Sequence, residues 1–261
     1  MKLVVCIASL GTVTLAGGPA HADDLSYQLE TSVASGYVAR GIVQYAHGDD
    51  PSSQNTATVR IDHLGPGALT FGVWNAVALA GYGDQPGTAL EIDVSSGYAF
   101  GAGPLAITTG YVAYLYPSHS DDAPLDGCHE LFGTATYQNA YVVPSVGLWV
   151  EPVRQQGVYL TLGGSRDFGY GDFTFTPSVS VGAAAYRKYL GADQFAAPHL
   201  NDVTAGFASR LDLDGGVYAA ARFSYAIRTT PGALMDTEMD TSMALGGRST
   251  LVGLIALGVA R

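Results

Sequence analysis

The sequence predicts an all-β protein, a transmembrane antiparallel up-and-down β-barrel of about twelve strands. The composition supports this, because only 13% of the 261 residues are charged whereas 48% are hydrophobic and 34 are Gly, unlike a soluble helical bundle. Apolar and polar residues also alternate with a period of two along most of the chain, as in strands with one apolar and one polar face. The connections between these segments are alternately long and short, which is typical of an outer-membrane barrel.

The first segment, residues 1–22, is predicted to be a secretory signal peptide. Lys2 supplies the positive start, an apolar stretch follows, and residues 20–22 (Ala-His-Ala) fit the small-x-small cleavage pattern. The apolar stretch is too short for a membrane anchor, and residues 17–19 (Gly-Gly-Pro) interrupt it. Residues 23–261 are therefore expected to form one outer-membrane barrel domain.

The predicted strands follow one another with the same two faces. The first, residues 25–41, places Leu29 and Val33 on an apolar face and Glu30 on a polar face. The segment 89–100 likewise places Leu90 opposite Glu91. Clear alternation also occurs in residues 56–63, 173–185, 202–214 and 217–228, and less regular strands are predicted at 69–79, 105–116, 130–138, 141–150, 158–168 and within 249–261. An even number of strands is expected for a closed up-and-down barrel.

The connections strengthen this interpretation. Long ones are predicted at residues 42–55, 80–88, 117–129, 151–157, 187–201 and 229–241, and short ones at 64–68, 101–104, 139–140, 169–172 and 215–216. A soluble β-sandwich, the alternative fold, has no reason to separate loop lengths in this way. We expect the short turns and the amino terminus on the periplasmic side. Aromatic girdles at the two membrane interfaces are predicted from Tyr27, Tyr37, Tyr98, Phe100, Tyr116, Phe168, Phe173, Tyr186 and Tyr189.

Four segments resemble one known family. Residues 35–44 read S-G-Y-V-A-R-G-I-V-Q, residues 71–75 read F-G-V-W-N, residues 91–98 contain E-I-D and G-Y, and an aromatic strand ends in Y-P at residues 116–117. Their order and spacing over residues 30–150 resemble the signature strands of the TorF family of porins. Gly36 stands where that family tends to have Asp. The resemblance implies an outer-membrane barrel that conducts solutes, and it brings no catalytic residue.

Charged residues on the polar face are the candidate site. Fixed charges along the wall of a narrow aqueous pore compensate a passing ion for the hydration that it loses. We expect Arg40 either to bind solutes near the outer mouth or to pair with Asp62 or Glu91. The same charges can instead form ion pairs that brace a packed, non-conducting barrel. The predicted pore-lining residues are Arg40, Arg60, Arg210, Arg222, Arg228, Glu30, Asp62, Glu91, Asp93, Glu130 and Asp212.

No catalytic residue, cofactor or metal is predicted. Cys128 and His129 fall in a predicted long loop, as do His47, His119 and His199, and a loop does not hold ligands rigidly. The sequence has neither a zinc-ligand spacing nor a Gly-rich phosphate loop. A formal charge of −11 without a basic cluster excludes a nucleic-acid partner, which requires phosphate neutralisation.

The sequence therefore predicts a porin, a passive diffusion channel for small polar or charged solutes across the bacterial outer membrane. Its expected partners are the outer-membrane bilayer, small solutes and the outer-membrane assembly machinery. One alternative is a non-conducting barrel with a surface-binding or structural role. Another is a lipid-modifying outer-membrane enzyme, which needs a Ser and a His that face lipid.

Overall fold

Twelve antiparallel strands form the wall of the protein. The computed structural model describes residues 25–39, 42–43, 51–79, 87–117, 128–152, 157–186, 199–228 and 249–261, with only the backbone at residues 38, 39, 42, 43, 186, 199 and 228. The predicted signal peptide lies outside the described residues. The strands are β1 (Leu25–Ala34), β2 (Ser52–Leu64), β3 (Gly67–Ala78), β4 (Ala89–Ala102), β5 (Leu105–Leu115), β6 (Cys128–Tyr137), β7 (Val143–Val150), β8 (Gly157–Ser165), β9 (Phe173–Tyr186), β10 (His199–Asp212), β11 (Val217–Arg228) and β12 (Ser249–Ala260).

The sheet closes on itself. Each strand pairs with its neighbours in sequence, and β1 pairs with β12 from Gln28–Ala260 to Ala34–Leu254. The twelve wall strands therefore have no open edge, so their backbone donors and acceptors pair within the sheet, as a hydrocarbon environment requires. This confirms the predicted antiparallel barrel of twelve strands. Within the described residues, we find no helix with the length and apolar character needed to cross a membrane.

Short connections join the strands at one end of the barrel, which we name the turn end; the opposite end is the loop end. Residues 65–66 and 103–104 are tight turns at the turn end, and the strand termini Leu25 and Ala260 lie there too. Gly65, Gly103 and Gly171 adopt positive φ angles of 68°, 63° and 58° in these turns. Glycine adopts this backbone conformation without steric cost.

One strand is interrupted at the turn end for a local reason. β8 ends at Ser165, and the ladder with β9 resumes in the same register at Phe168–Tyr170. Pro177 of β9 lies opposite the break, and proline has no N–H to donate to a ladder. The Arg166 N–H still donates to the Pro177 carbonyl oxygen at 3.2 Å, so only the hydrogen bond that a Pro177 N–H would donate is lost.

Other strand boundaries also differ from the sequence expectation. β1 ends at Ala34 rather than at residue 41, and Val38–Ala39 pairs separately with Ile42–Val43. β6 begins at Cys128, so the prediction that Cys128 and His129 lie in a loop is wrong. His199 likewise begins β10 rather than lying in a loop.

The two faces of the wall are opposite in character. On β1, Leu29 and Val33 are 50% and 55% exposed on the outer face, whereas Glu30 and Ser32 are buried on the inner face. All twelve strands expose at least one large apolar or aromatic side chain. A continuous apolar surface of this extent is typical of a membrane-facing region.

Three side chains break the expected pattern of faces. Leu90 is buried against Ala76 and Ala78 instead of facing outward, because the register shifts between Ala76 and Val77. Tyr37 and Tyr116 are buried as well, so they do not belong to an outer girdle as predicted. The exposed rings of Tyr27, Phe168 and Phe173 remain at the turn end, consistent with a girdle there.

Candidate functional site: the barrel interior

The inner wall gathers polar side chains from strands that are distant in sequence. At its centre, the Arg222 guanidinium donates two hydrogen bonds to Glu30, at 2.6 Å to Oε1 and 2.7 Å to Oε2. Bidentate pairs of this kind are among the strongest charge-assisted hydrogen bonds. The Tyr218 hydroxyl also donates to Glu30 Oε2 at 2.8 Å, and Gln28 Nε2 donates to the Tyr218 oxygen at 2.8 Å. We name Gln28, Glu30, Tyr218 and Arg222 the central network.

The central network spans three strands because the middle strand carries a glycine. Glu30 of β1 and Tyr218 of β11 both pair with Gly258 of β12, which lies between them. A Cβ atom on Gly258 would come within 2.7 Å of Tyr218 Cε1. The missing side chain therefore lets the tyrosine ring cross β12 and reach Glu30.

Two other aromatic rings also lie over glycines of the inner wall. Phe132 lies over Gly110, where an added Cβ would come within 2.7 Å of Phe132 Cζ. Tyr159 lies over Gly182, where the corresponding distance to Tyr159 Cζ is 2.8 Å. Glycine in a strand allows this close approach. Large aromatic rings thus lie over the wall at glycine positions, where alanine would displace them.

Towards the turn end, arginines pair with acids on their own strands. Arg60 Nη2 lies 2.8 Å from Asp62 Oδ1, and Arg210 Nη2 lies 2.7 Å from Asp212 Oδ1. The Arg210 guanidinium also stands 3.8 Å from the centroid of the Tyr218 ring, which is close enough for a cation–π interaction. Residues two apart on a strand share a face, so each of these strands carries both partners of its pair.

Towards the loop end, tyrosine hydroxyls and an amide hold the carboxylates. Tyr114 O–H donates to Glu130 Oε2 at 2.8 Å, and Tyr159 O–H donates to Asp202 Oδ2 at 2.9 Å. Asn201 Nδ2 donates to the same Asp202 oxygen at 2.9 Å. Glu91, Glu130, Glu151, Asn201 and Asp202 are all at least nine-tenths buried here. The described residues contain no group of three or more His, Cys, Asp or Glu side chains that could hold a metal ion.

Nine of the eleven predicted pore-lining residues occupy inner-face positions with described side chains. Arg228 pairs with Asp202 in the backbone ladder, but only its backbone is described. Arg40 lies outside the described residues, and Asp62, one of its expected partners, pairs with Arg60. The nine are Arg60, Arg210, Arg222, Glu30, Asp62, Glu91, Asp93, Glu130 and Asp212. That they contact a solute stays a prediction.

Sequence reasoning missed Asp202, Asn201 and Tyr159. The alternation of the sequence places the charged residue Asp202 on the polar face, so Asp202 could have been predicted as a pore-lining residue. Asn201 reaches the inner wall because the register shifts after Gly182, which pairs with Asp202 while Ala183 pairs with Leu200. Such a β-bulge turns one extra residue to a face, and alternation alone does not locate it.

His129 belongs to the other face of the wall. It is the second residue of β6 and alternates with the inward Cys128 and Glu130. Its ring stacks on Tyr111 with centroids 5.9 Å apart, and its Nδ1 contacts the Tyr111 hydroxyl. The described partner of His129 is a tyrosine, whereas the alternative of a lipid-modifying enzyme needs a Ser and a His that face lipid.

Comparison with known proteins finds similar solved structures but no matching family. No family model matches the chain, and no curated protein matches it, so the resemblance to the TorF family stays a prediction. Among solved structures, the chain is similar to the KdgM porin in complex with disordered oligogalacturonate (9% identity, TM-score 0.47, 90% of this chain and 98% of that one). It is also similar to the NanC porin (8% identity, TM-score 0.48, 90% of this chain and 98% of that one). A third similar structure is the translocator domain of autotransporter NalP from Neisseria meningitidis (12% identity, TM-score 0.43, 92% of this chain and 89% of that one). At such identities and scores the likeness carries no functional weight, and the barrel rests on its own strand pairing.

Proposed function

We propose that this protein is an outer-membrane porin, a passive diffusion channel for small polar or charged solutes. The observation that carries the proposal is the opposition of the two faces of a closed twelve-strand wall. Every strand exposes apolar side chains outward, while carboxylates, guanidinium groups and hydroxyls converge inside. A bacterial outer membrane accepts a closed barrel with this arrangement of faces.

The inner wall supports a solute pathway in two ways. Its aromatic rings lie over wall glycines such as Gly110 and Gly258, and several of its inward positions carry small residues, among them Gly206 and Ala208. Its charges are of both signs, and opposed charges orient dipolar solutes and offset lost hydration. Passage would be passive, driven by the solute gradient.

The structure offers one observation in favour of the alternative, a barrel that does not conduct. Arg60, Arg210 and Arg222 each pair with an acid, and such pairs brace a barrel wall whether or not a solute passes. This alternative makes a distinct prediction, since the same protein would insert into membranes and leave them impermeable.

Liposome swelling tests the proposal against that alternative. Proteoliposomes are diluted into isotonic solutions of small sugars or amino acids, and light scattering reports solute entry. We expect swelling whose rate falls with solute size. Ala208→Trp, which places a large ring inside, should slow swelling several-fold, whereas Ala205→Trp on the outer face of the same strand should leave the rate unchanged. Inserted protein that produces no swelling, or two variants with equal rates, would contradict a diffusion channel.

A further inference from the structure

The chain departs from the line of β1 directly after that strand ends. Ser35 still contacts β12, because its N–H donates to the Gly253 carbonyl oxygen at 2.9 Å and its hydroxyl oxygen accepts from the Gly253 N–H at 3.0 Å. Gly36 and Tyr37 are then buried one after the other. Successive residues of a wall strand alternate between the two faces, so two buried neighbours mark the point where the backbone turns off the wall.

Tyr37 lies against the inner wall two strands away. Its ring centroid stands 5.0 Å from that of Trp74 on β3, with the two planes tilted by 40°. Trp74 belongs to the inner face, because its neighbour Val73 is exposed on the outer face. To reach β3 from the end of β1, Tyr37 must therefore pass β2 on the side of the lumen.

The strand register shows how far the chain folds back. Glu30 pairs with Thr56, and Thr56 pairs with Trp74, so these three residues form one row across the sheet. Tyr37 is seven residues beyond Glu30, and a straight continuation of β1 would carry it about 23 Å past this row at about 3.3 Å per residue. Two aromatic side chains in contact do not span that distance, which is measured along the strands and is independent of their tilt. Residues 35–39 therefore fold back into the barrel, and we name them the inward segment.

Two contacts hold the inward segment. The Tyr37 side chain is only 7% exposed, and aromatic pairs with centroids about 4.5–7 Å apart are stabilised beyond the area that they bury. Next to it, Val38–Ala39 pairs with Ile42–Val43 in a two-stranded sheet that is separate from the wall. A ring packed on the wall and a paired backbone beside it give the segment a defined position.

The inner wall near the start of the inward segment is covered. Ala34 and Ser52 pair at the loop end of β1 and β2, and neither has any exposed surface although both side chains are small. Farther towards the turn end, Thr58 and Arg60 of β2 are partly exposed. Water in an open lumen would reach small side chains on its wall. The burial of Ala34 and Ser52 thus agrees with a segment that lies inside the barrel.

We propose that the inward segment narrows the lumen and that Tyr37, packed on Trp74, sets the largest solute that passes. Barrels of about eight strands are filled by their own side chains, whereas those of about sixteen leave a wide channel. In a barrel of twelve strands, two stacked aromatic rings on one side take up a large share of the space. Single sugars and amino acids are then admitted, and chains of several sugars are excluded. This size limit rests on the channel function proposed above.

Tryptophan fluorescence tests the position of the Tyr37 ring. The chain has two tryptophans, Trp74 and Trp149, so Trp149→Phe leaves Trp74 as the one emitter. In this background, Tyr37→Ala should raise the quenching of Trp74 by acrylamide about two-fold, because the ring that covers it is removed. Tyr37→Phe keeps a ring and should not raise it.

The second tryptophan supplies the control. In a Trp74→Phe background, Tyr37→Ala should change the quenching of Trp149 less, since Trp149 packs on Tyr159 instead. All variants are compared as folded protein with unchanged heat-modifiable gel mobility. No increase at Trp74, or an equal increase at both tryptophans, would overturn the proposal whether or not the barrel conducts.

Liposome swelling with sugars of increasing length tests the size limit. The wild type should admit a pentose much faster than a tetrasaccharide. Tyr37→Ala should raise the rate for the tetrasaccharide several-fold relative to the pentose, whereas Tyr37→Phe should keep the wild-type ratio. Tyr225→Ala removes a ring from the outer face and is the matched control, with the wild-type ratio expected.

The outcomes separate the size limit from the channel function. A wild type that swells, with an unchanged ratio in Tyr37→Ala, would overturn the size limit alone. Inserted wild type that admits no sugar, together with a Tyr37→Ala variant that does, would contradict the open channel and support the obstruction by the inward segment. Inserted protein that admits no sugar in either form would refute both.

Discussion

The described contacts of the inner-wall carboxylates differ between the two ends of the barrel. In the centre and towards the turn end, Glu30, Asp62 and Asp212 accept from guanidinium groups. Towards the loop end, Glu130 and Asp202 accept from tyrosine hydroxyls and, for Asp202, an amide. A guanidinium cancels the charge it binds, whereas a hydroxyl solvates the charge and leaves it in place. The described contacts therefore differ in kind, since those towards the turn end neutralise charge and those from hydroxyl and amide groups do not.

The difference has a consequence for stability. Removing a guanidinium leaves an uncompensated charge, which costs more than the loss of one neutral donor. The centre of the barrel should therefore be the most sensitive to substitution.

The largest effect is expected for Arg222→Met. This change removes the two guanidinium donors of Glu30, whose side chain is only 7% exposed. We expect a loss of about 3 kcal/mol in the free energy of unfolding, towards the lower end for breaking a buried pair. Urea titration of the heat-modifiable gel band measures it. Arg60→Met leaves Asp62, which is 32% exposed and therefore reached by water, so it should cost less than about 1 kcal/mol, and equal losses would refute the distinction.

A smaller effect is expected for Gly258→Ala. The new methyl group would overlap the Tyr218 ring and push its hydroxyl away from Glu30. Overpacking of this kind costs about 2 kcal/mol. Gly253→Ala on the same strand meets nothing closer than 3.4 Å, at Phe223 Cε1, and is the matched control. The same urea titration distinguishes them, and two variants of wild-type stability would exclude a structural role for the Tyr218 crossing.

At the loop end, Tyr159→Phe removes one of the donors to Asp202 and leaves Asn201 in place. We expect a loss of about 1.5 kcal/mol, the value of a hydrogen bond to a charged group. Tyr225→Phe, on the outer face, should be neutral. A loss at Tyr159 as large as that of Arg222→Met would erase the proposed difference between the two halves.

The smallest effect concerns ion selectivity. Glu130→Gln combined with Asp202→Asn removes two carboxylate charges at the loop end, whereas Asp62→Asn removes one, from the pair with Arg60 at the turn end. We expect the first change to lower the cation-to-anion permeability ratio about three-fold, or roughly 0.6 kcal/mol, and the second to change it less. Reversal potentials across a salt gradient measure the ratio. A greater shift for Asp62→Asn would contradict this ranking.

Much of the fold could be predicted from the sequence because the period of two is a local property. The limits of β11, Val217–Arg228, match the expected residues, and Glu30 lies on the expected face. The alternation fails where the register shifts, which explains why Leu90 and Asn201 face inward. A shift is set by pairing between strands, and no single segment encodes it.

The partners within the site were less predictable than its faces. Arg222 meets Glu30 across β12, and the two residues are separated by most of the chain. Their meeting depends on barrel closure and on Gly258, whose role becomes visible only from cross-strand register. The sequence alone placed the charged residues on the inner face. Whether a carboxylate accepts from a guanidinium group or from a hydroxyl group becomes visible only in the three-dimensional structure.

Single-channel recording tests the central claim most directly. Purified protein is added to a planar lipid bilayer in concentrated salt, and its insertion is verified by the heat-modifiable mobility of protein recovered from the membrane. A closed wall with an apolar outside and a charged inside predicts small discrete conductance steps. Verified insertion without current over a range of voltages and salt concentrations would contradict it.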